Sequence, residues 1–337
     1  MTAQTNPEQS RNPIVRFFNI NTSGEIGGRK LPLWRQLLIQ VITLIIAFEV
    51  LFPIMYVVTL SFSSKTTRPS TLQLIPKEIS LTAYKQVLDR PTANPVTFLQ
   101  LLRNSFGLSV GVGLASIVVA VTAAYAFSRF KFRMRAVLMV LVFVPLLMPG
   151  IGLATPLYLL MNSVKVTDCG AGLMAISPFT TCAAGAGKII FNLRDSLLGV
   201  GFAMIASALP FAVWNLKGYL DTIPKELEEA AMIDGAGPNQ IFTKIIMPLA
   251  LPQLAVTFFL GFIGHWQEFA MPWLFLTKPQ DYTLAMTLYN MTGQYASSIP
   301  WNRFAAMAMI VAAPVAVIYI ALQKQIVSGL MLGGVKG

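Results

Sequence analysis

The sequence KELEEAAMIDGAGPNQIFTKIIMP occupies residues 225–248 and predicts two short helices joined at glycine. Pro224 fits the first turn of a helix, and the acidic residues after it stand where the helix dipole favours negative charge. Gly235 and Gly237 end this first helix, and Pro238 can begin the second. A compact helix-glycine-helix of this kind suits docking against a partner better than holding a ligand.

The two predicted helices differ in character. The first presents small and apolar side chains at spacings of three and four, namely Leu227, Ala230, Ala231 and Asp234. This face has the dimensions to enter a narrow groove on a partner. The second helix is mainly apolar, and Pro248 marks its predicted end.

Apolar stretches on both sides of this segment are long enough to cross a bilayer, which takes about 20 residues. Six are found, at 37–62, 105–128, 137–161, 198–216, 249–276 and 304–322. The 337 residues are 55% hydrophobic and 12% charged, with a mean hydropathy of +0.64. Because these polar residues are too few to cover the surface of soluble domains, we predict an all-α integral membrane protein with six transmembrane helices.

Lysine and arginine near the span ends predict the orientation. Cations precede the first span, and Arg129, Lys131, Arg133 and Arg135 crowd the link between the second and third spans. Both regions then lie in the cytoplasm, together with both termini and the 217–247 segment. Six cations between Lys65 and Arg103 oppose this orientation. The net charge of +11 is scattered rather than gathered on one face, so we expect a bilayer-surface role and no nucleic acid partner.

The 225–248 segment resembles the coupling-loop signature of binding-protein-dependent ABC importer permeases, which is Glu-Ala-Ala, three residues, Gly, nine residues, Ile, one residue, Leu-Pro. The matching positions are Glu229, Ala230, Ala231, Gly235, Ile245 and Pro248. Met247 replaces the leucine, which is a volume-conserving exchange. The stretches 124–133 and 333–337 are also similar to carbohydrate permeases. The stretches 74–80, 281–285 and 333–337 together most resemble the shorter permeases of maltose and maltodextrin importers.

The resemblance implies a type I ABC importer permease of the bacterial inner membrane. It divides the chain into a cytoplasmic N-terminal segment (1–36), a transmembrane permease domain (37–323, with the coupling loop at 224–248) and a cytoplasmic tail (324–337). The implied partners are a second permease, two ATPase subunits that hold ATP and Mg, and a soluble sugar-binding protein. The implied cargo is maltose or maltodextrin; trehalose or another oligosaccharide, or ion-coupled secondary transport, are the alternatives.

The resemblance also implies two further contact regions. The ending, with Gly333, Gly334 and Lys336, is similar to a tail that reaches into the ATPase dimer interface, although a frayed terminus is the alternative. The external segment from Lys278 to Pro300 matches in position a loop that probes the sugar pocket of the binding protein. Its candidate sugar contacts are Tyr282, Tyr289, Gln294 and Tyr295, and a solvated connector is the competing interpretation.

A few polar side chains lie within the apolar stretches. Glu49 and Glu268 are the acids, and an ionised carboxylate there costs about 2.5 to 3.5 kcal/mol on insertion scales. Four residues are candidates to line a pathway for the sugar, namely Glu49 and, close together in a later span, His265, Trp266 and Glu268. A structural polar contact is the alternative for each of them.

The remaining motifs concern cysteine, phosphate and metal chemistry. Cys169 and Cys182 share a predicted external loop, so either a disulfide or two free thiols is expected. The 182–189 stretch resembles a phosphate-binding loop but lacks its first glycine and its Ser or Thr, so ATP should bind a separate subunit. With one histidine in the chain, we expect no metal site.

Overall fold

The computed structural model describes residues 25–26, 29–30, 33–67, 78–148, 150–170, 173–179, 182, 188–293 and 299–334. Eleven α-helices lie in these ranges: α1 (Leu33–Ser61), α2 (Thr82–Asp89), α3 (Phe98–Arg129), α4 (Arg135–Phe143), α5 (Gly150–Ser163), α6 (Leu197–Leu220), α7 (Glu226–Ile233), α8 (Pro238–Gln267), α9 (Ala270–Phe275), α10 (Leu284–Asn290) and α11 (Trp301–Gly334). Short 3₁₀ turns cover Val144–Leu147 and Pro279–Asp281.

Five of these helices are long and apolar enough to span a membrane, namely α1, α3, α6, α8 and α11. A sixth span exists if α4 with its 3₁₀ turn and α5 count as one, since these two pieces meet at an angle of 105°. The all-α membrane class is confirmed, but the third span is not the straight helix that its hydropathy predicts. Pro145 in the 3₁₀ turn explains the change, because proline cannot donate the hydrogen bond that continues a helix.

Short strands depart from the all-α prediction. β1 (Glu25–Ile26) and β2 (Arg29–Lys30) form an antiparallel pair. β3 (Lys165–Gly170), β4 (Leu173–Ser177) and β5 (Lys188–Asn192) form an antiparallel sheet with β3 in the centre. This sheet connects α5 to α6, in the predicted external loop.

The chain divides into two compact units, residues 1–57 and 58–337. The first contains β1, β2 and most of α1, and the most apolar window of α1 has no buried residue. Within the second unit, α3 packs along α6, and α8 packs against both and against α11.

Three clusters of buried side chains hold the second unit together. One joins the end of α3 to α6, α7 and the start of α8, with Phe127, Leu216 and Ile246 among its members. A second joins α2, α3, α8, α10 and α11. The third joins α3, α6 and α9 through residues such as Val112 and Phe275. The predicted coupling loop is therefore packed on the bundle at the C-terminal end of α3.

Several predicted boundaries are wrong. α7 begins at Glu226 rather than at Pro224, and α8 runs straight through Pro248 to Gln267. Ile241–Ile246 form a π-helical turn, in which the Met247 N–H donates to the Phe242 carbonyl five residues back. This wider turn comes directly before the proline and relieves the clash that its ring would otherwise cause. The predicted fifth span, 249–276, breaks after Gln267, and α9 follows as a separate helix.

Candidate functional site

The first helix of the predicted coupling loop ends in a hydrogen-bonded glycine turn. The Ala236 N–H donates to the Ala231 carbonyl at 2.9 Å, and the Gly235 N–H donates to the Met232 carbonyl at 3.1 Å. These two bonds form a Schellman motif, which places its central residue in the left-handed region. Gly235 has φ +84°, a conformation that costs little only for glycine. The turn then leads to Pro238, where α8 begins as predicted.

The outward face of α7 differs from the predicted one. Glu228 and Ala231 are the only buried side chains among its eight residues, all of which the structure describes. The opposite face carries Glu226, Glu229, Ala230 and Ile233, at spacings of three and four. Ile233 is 87% exposed. The prediction that Ala231 offers close approach to a partner is not supported, because its side chain packs in the core of its own chain.

The start of α8 forms the other half of this region. Ile241 and Ile246 are buried, Ile245 is half-buried and Pro248 is exposed. The Phe242 ring packs against the Tyr125 ring of α3, with centroids 4.9 Å apart. Of the two matched positions after the glycine, Pro248 is therefore exposed and Ile245 is only partly so.

A buried ion pair fastens α7 to the end of α3. The Arg129 Nε donates to the Glu228 Oε1, and the two side chains are 7% and 8% exposed. The Tyr125 hydroxyl, one turn earlier on α3, donates to the other carboxylate oxygen at 3.1 Å. Both oxygens of one carboxylate are thus held by α3.

The same guanidinium reaches the link between α6 and α7. Its Nη2 donates to the Ile223 carbonyl at 3.0 Å, and its Nη1 donates to the Ser128 hydroxyl at 3.2 Å. Ser128 donates in turn to Asp221 at 2.7 Å, and Lys217 donates to the other Asp221 oxygen at 2.6 Å. Burial alone would raise the pKa of Asp221, but the bonds from Lys217 and Ser128 and the nearby cations outweigh it and lower that pKa.

The sequence motif singled out Glu229, and the structure shows that its neighbour Glu228 makes the internal contacts. A signal was present in the spacing. Tyr125 and Arg129 are four apart on α3, and Glu228 and Ala231 are three apart on α7. Each pair shares one helix face, but the pattern alone does not tell which face of α7 is buried.

Two of the four residues proposed to line a pathway, Trp266 and Glu268, make structural contacts within the chain. Trp266 is 2% exposed, its Nε1 donates to the Val311 carbonyl at 3.0 Å, and its ring stacks on Phe262. Glu268 is not inside a continuous span but at the break before α9. There its Oε1 accepts from the N–H groups of Ala270 (2.8 Å) and Met271 (3.1 Å).

The other two pathway candidates are placed differently. His265 is half-buried near the end of α8, and its Nε2 has no hydrogen-bond partner among the described residues. Glu49 is exposed on α1, in the first compact unit. The Trp266 Nε1 and the Glu268 Oε1 are thus already hydrogen-bonded within the chain, which favours the structural alternative for these two residues.

The external segment contains an anchored end and an exposed ring. The Thr277 N–H and hydroxyl donate to Asp195 at 2.8 and 2.9 Å, and the Lys278 Nζ lies 3.6 Å away. Burial would raise the pKa of Asp195, but these bonds and charges lower it overall. Tyr282 is half-buried, whereas the exposed Tyr289 ring stacks on Phe269 at 4.5 Å. Gln294 and Tyr295 lie outside the described residues.

The two cysteines and the chain end complete the predicted sites. A disulfide joins Cys169 and Cys182, whose Cα atoms are 5.4 Å apart, so the alternative of two free thiols is not what the structure has. Most of the phosphate-loop look-alike lies outside the described residues. Gly333 and Gly334 end α11, which runs past the predicted span end at Leu322, and Lys336 lies outside the described part of the chain.

A cavity of about 800 Å³ lies between the first half of α3 and the start of α6. Its apolar lining includes Leu108 and Val112, and its polar lining includes Gln100, Arg103 and Asn104. Asn104 donates to the Gln280 and Tyr282 carbonyls, which ties this part of the lining to the external segment. At about 1.5 Å per residue, Asn104 and Arg129 lie roughly 37 Å apart along α3. The cavity and the predicted coupling loop thus occupy opposite ends of the same helix.

Residues 116–331 match the family model described as "Binding-protein-dependent transport system inner membrane component". The galactooligosaccharides transport system permease protein GanQ of Bacillus subtilis (strain 168) is 42% identical over 133 residues, which are 40% of this chain and 47% of that protein. The match therefore spans about half of GanQ. The maltose/maltodextrin transport system permease protein MalG of Escherichia coli (strain K12) is 34% identical over 218 residues, 53% of this chain and 72% of that protein.

Solved structures show the same fold. A bacterial ABC transporter involved in the import of alginate contains a chain that superposes with a TM-score of 0.62 at 22% identity, covering 93% of this chain and 98% of that one. A second structure, of a bacterial alginate ABC transporter in complex with a pentasaccharide-bound periplasmic protein, gives a TM-score of 0.60 at 17% identity, covering 86% and 95%.

Proposed function

The chain belongs to the family of inner membrane components of binding-protein-dependent transport systems, and on that premise we propose that it moves a sugar or oligosaccharide as a permease subunit of an ABC importer. It is the transmembrane subunit, and ATP hydrolysis belongs to a separate subunit. Two relatives are named for galactooligosaccharides and for maltose and maltodextrin, which supports a sugar as the cargo.

The observation that carries the proposal is the outward face of α7. A large apolar side chain, Ile233, is almost fully exposed between acidic neighbours on a short helix that connects two spans. When a partner covers an exposed apolar side chain, the free energy of the complex falls by roughly 25 cal/mol for each Å² of apolar surface buried. Glu226 and Glu229 beside it add charge that a basic or polar groove would complement.

The proposed complex has a second permease subunit, two ATPase subunits that hold ATP and Mg, and a soluble binding protein. α7 and the following turn at Gly235 would seat on the ATPase, with Glu229 and Ala230 at the contact. Both chain termini would then lie in the cytoplasm. The ending, with Gly333, Gly334 and Lys336, is proposed to approach the ATPase dimer as well.

On the outer side, we place the contact with the binding protein and its sugar in the Lys278–Pro300 segment. The exposed Tyr289 ring, already stacked on Phe269, supports this because a flat aromatic face suits a sugar ring. Tyr282, Gln294 and Tyr295 remain candidates in the same segment. Maltose or maltodextrin is the proposed cargo, and trehalose or another oligosaccharide is the alternative. Ion-coupled secondary transport finds no support in Glu268, because its carboxylate caps α9.

The proposal is tested with the tagged chain purified from its own host membranes in mild detergent. Ile233→Asp should abolish co-purification of an ATPase and ATP-driven sugar uptake, because it puts a charge where an apolar contact is proposed. Ile79→Asp is the control, since Ile79 is similarly exposed (77%) in the predicted external segment. Full ATPase recovery and uptake in Ile233→Asp would contradict the proposal. Uptake of labelled maltose, trehalose and galactooligosaccharide into proteoliposomes decides the cargo.

A further inference from the structure

We infer that Arg129 and Glu228 are positioning residues that fasten α7 to the end of α3, so that α3 moves with α7 when a partner displaces that helix. The inference rests on the proposed function, since it takes the ATPase to push on α7. It concerns a different step, namely how displacement of the cytoplasmic loop reaches the spans.

α7 has few other attachments. Only Glu228 and Ala231 of its eight residues are buried, and Ala231 offers a single methyl group to the core. A methyl contact resists compression but not sliding, because dispersion has no preferred direction. The hydrogen-bonded ion pair, by contrast, resists sliding because it depends on both the distance and the angle between its atoms. Of the two buried side chains, Glu228 is therefore the one that can transmit a lateral force.

The Arg129 side chain is held so that it cannot swing away. Its three nitrogens donate to three acceptors: the Glu228 carboxylate, the Ile223 carbonyl and the Ser128 hydroxyl. The guanidinium is planar, so three simultaneous bonds fix its plane as well as its position. Ile223 precedes α7 in the α6–α7 link, and Glu228 lies within α7. One side chain of α3 thus holds the entry to α7 and the helix itself.

Tyr125 adds a second point of attachment on α3. Its hydroxyl donates to the Glu228 oxygen that Arg129 does not use, from one turn earlier on the helix. Two contacts from successive turns prevent the carboxylate from rotating about a single bond. The Tyr125 ring also packs on Phe242 of the π-helical turn, so the start of α8 joins the same unit.

Burial makes this attachment hard to exchange for solvent. With both partners less than a tenth exposed, removal of either one leaves a charge in a poorly hydrated place. The exposed acids of α7 have no such constraint. The division of roles follows: Glu226 and Glu229 face outward, and Glu228 faces the bundle.

The attachment leads to the other end of α3. α3 is one continuous helix from Phe98 to Arg129, and its first half lines the 800 Å³ cavity against α6. A displacement applied at Arg129 therefore reaches the cavity wall without crossing a break in the helix. The link from α6 ends at the same guanidinium, through the Ile223 carbonyl. α3 and α6 are thus held together at the cytoplasmic end and line the cavity at the other.

The test measures sugar moved per ATP hydrolysed, with the complete complex in proteoliposomes. Glu228→Gln and Arg129→Lys should lower this ratio at least tenfold while an ATPase still co-purifies and still hydrolyses ATP. Tyr125→Phe, which removes one hydrogen bond and keeps the ion pair, should lower it by a smaller factor. Asp89→Asn, at an exposed acid that ends α2, should leave the ratio unchanged.

A purely structural role would give a different result. It would lower ATPase recovery, hydrolysis and uptake together and leave the ratio of sugar to ATP constant, which would overturn the inference. The exchanged pair, Arg129→Glu with Glu228→Arg, restores opposite charges and should recover at least part of the ratio lost in the single variants. If the single variants do not accumulate in the membrane, a wild-type ratio in Tyr125→Phe, or no recovery of the ratio in the exchanged pair, would equally overturn it. Failure of any ATPase to co-purify with the unaltered chain would instead contradict the proposed function.

Discussion

Replacement of Gly235 by alanine should loosen the turn that ends α7, for a reason that is purely conformational. Gly235 has φ +84°, and a side chain there would meet no atom within 4 Å. The left-handed backbone nevertheless costs an alanine about 1–2 kcal/mol. That energy corresponds to a factor of about 5–30 in the equilibrium between the closed and open turn.

The control for this substitution lies two residues away. Gly237 also has open space around it, but its φ is −73°, which alanine adopts without strain. Gly235→Ala should therefore speed hydrogen exchange at the Ala236 N–H, which is bonded to the Ala231 carbonyl, by about 5–30-fold. Gly237→Ala should change that rate by less than about twofold.

Exchange is followed by mass spectrometry on peptides that cover residues 226–240, with the complex in detergent. The exchange rate in Gly235→Asn should lie between the rates of the two alanine variants, because asparagine tolerates the left-handed region better than alanine does. Uptake should drop in the order of the exchange rates, and Gly235→Asp should abolish it. Equal exchange rates in Gly235→Ala and Gly237→Ala would show that backbone strain at Gly235 does not limit the turn.

Three further outcomes follow from the described contacts. Cys169→Ser should free the Cys182 thiol and destabilise the β3–β4–β5 segment by up to about 3 kcal/mol, which limited proteolysis and a thiol count detect; equal protease resistance would contradict it. Asp195→Asn should lower the thermal unfolding midpoint at pH 7. The bonds from Thr277 and the nearby cations lower the pKa of Asp195 in the folded state. The contribution of its carboxylate to the free energy of unfolding is therefore complete above a pH equal to the usual pKa of about 3.9, and it disappears as the pH falls further. A difference between wild type and variant that persists well below that pH would be inconsistent with the assignment. Glu268→Ala should lower the unfolding midpoint through loss of the α9 cap, worth about 1 kcal/mol, while uptake per folded complex is retained; selective loss of uptake would restore Glu268 as a pathway residue.

Much of the architecture follows from local patterns. Long apolar runs predict the spans, because the bilayer thickness demands about 20 apolar residues wherever a helix crosses. The glycines at 235 and 237 predict the break between α7 and α8, since the chemistry of a helix end depends on a few neighbours. The bent third span and the break after Gln267 were harder to predict, because hydropathy counts apolar residues and does not register a change in direction.

The motif in the sequence locates the candidate site, but it does not predict which side chains of the site contact each other. Glu228 and Glu229 are adjacent and chemically identical in the sequence, and nothing local distinguishes them. They point in directions about 100° apart on α7, and packing against α3 buries one and exposes the other. The same holds for Trp266, whose indole suits a sugar pathway in principle but lies in the core beside Phe262.

Local chemistry along the chain was thus sufficient for the membrane class, the approximate spans and the helix-glycine-helix between the fourth and fifth of them, because each depends on neighbouring residues alone. Tertiary packing alone decided which acid of α7 meets Arg129, which candidate pathway residues are already satisfied, and where α3 and α6 leave a cavity. Those outcomes depend on side chains that are distant in sequence, such as Arg129 and Glu228. Their distance and burial exist only once the helices have packed.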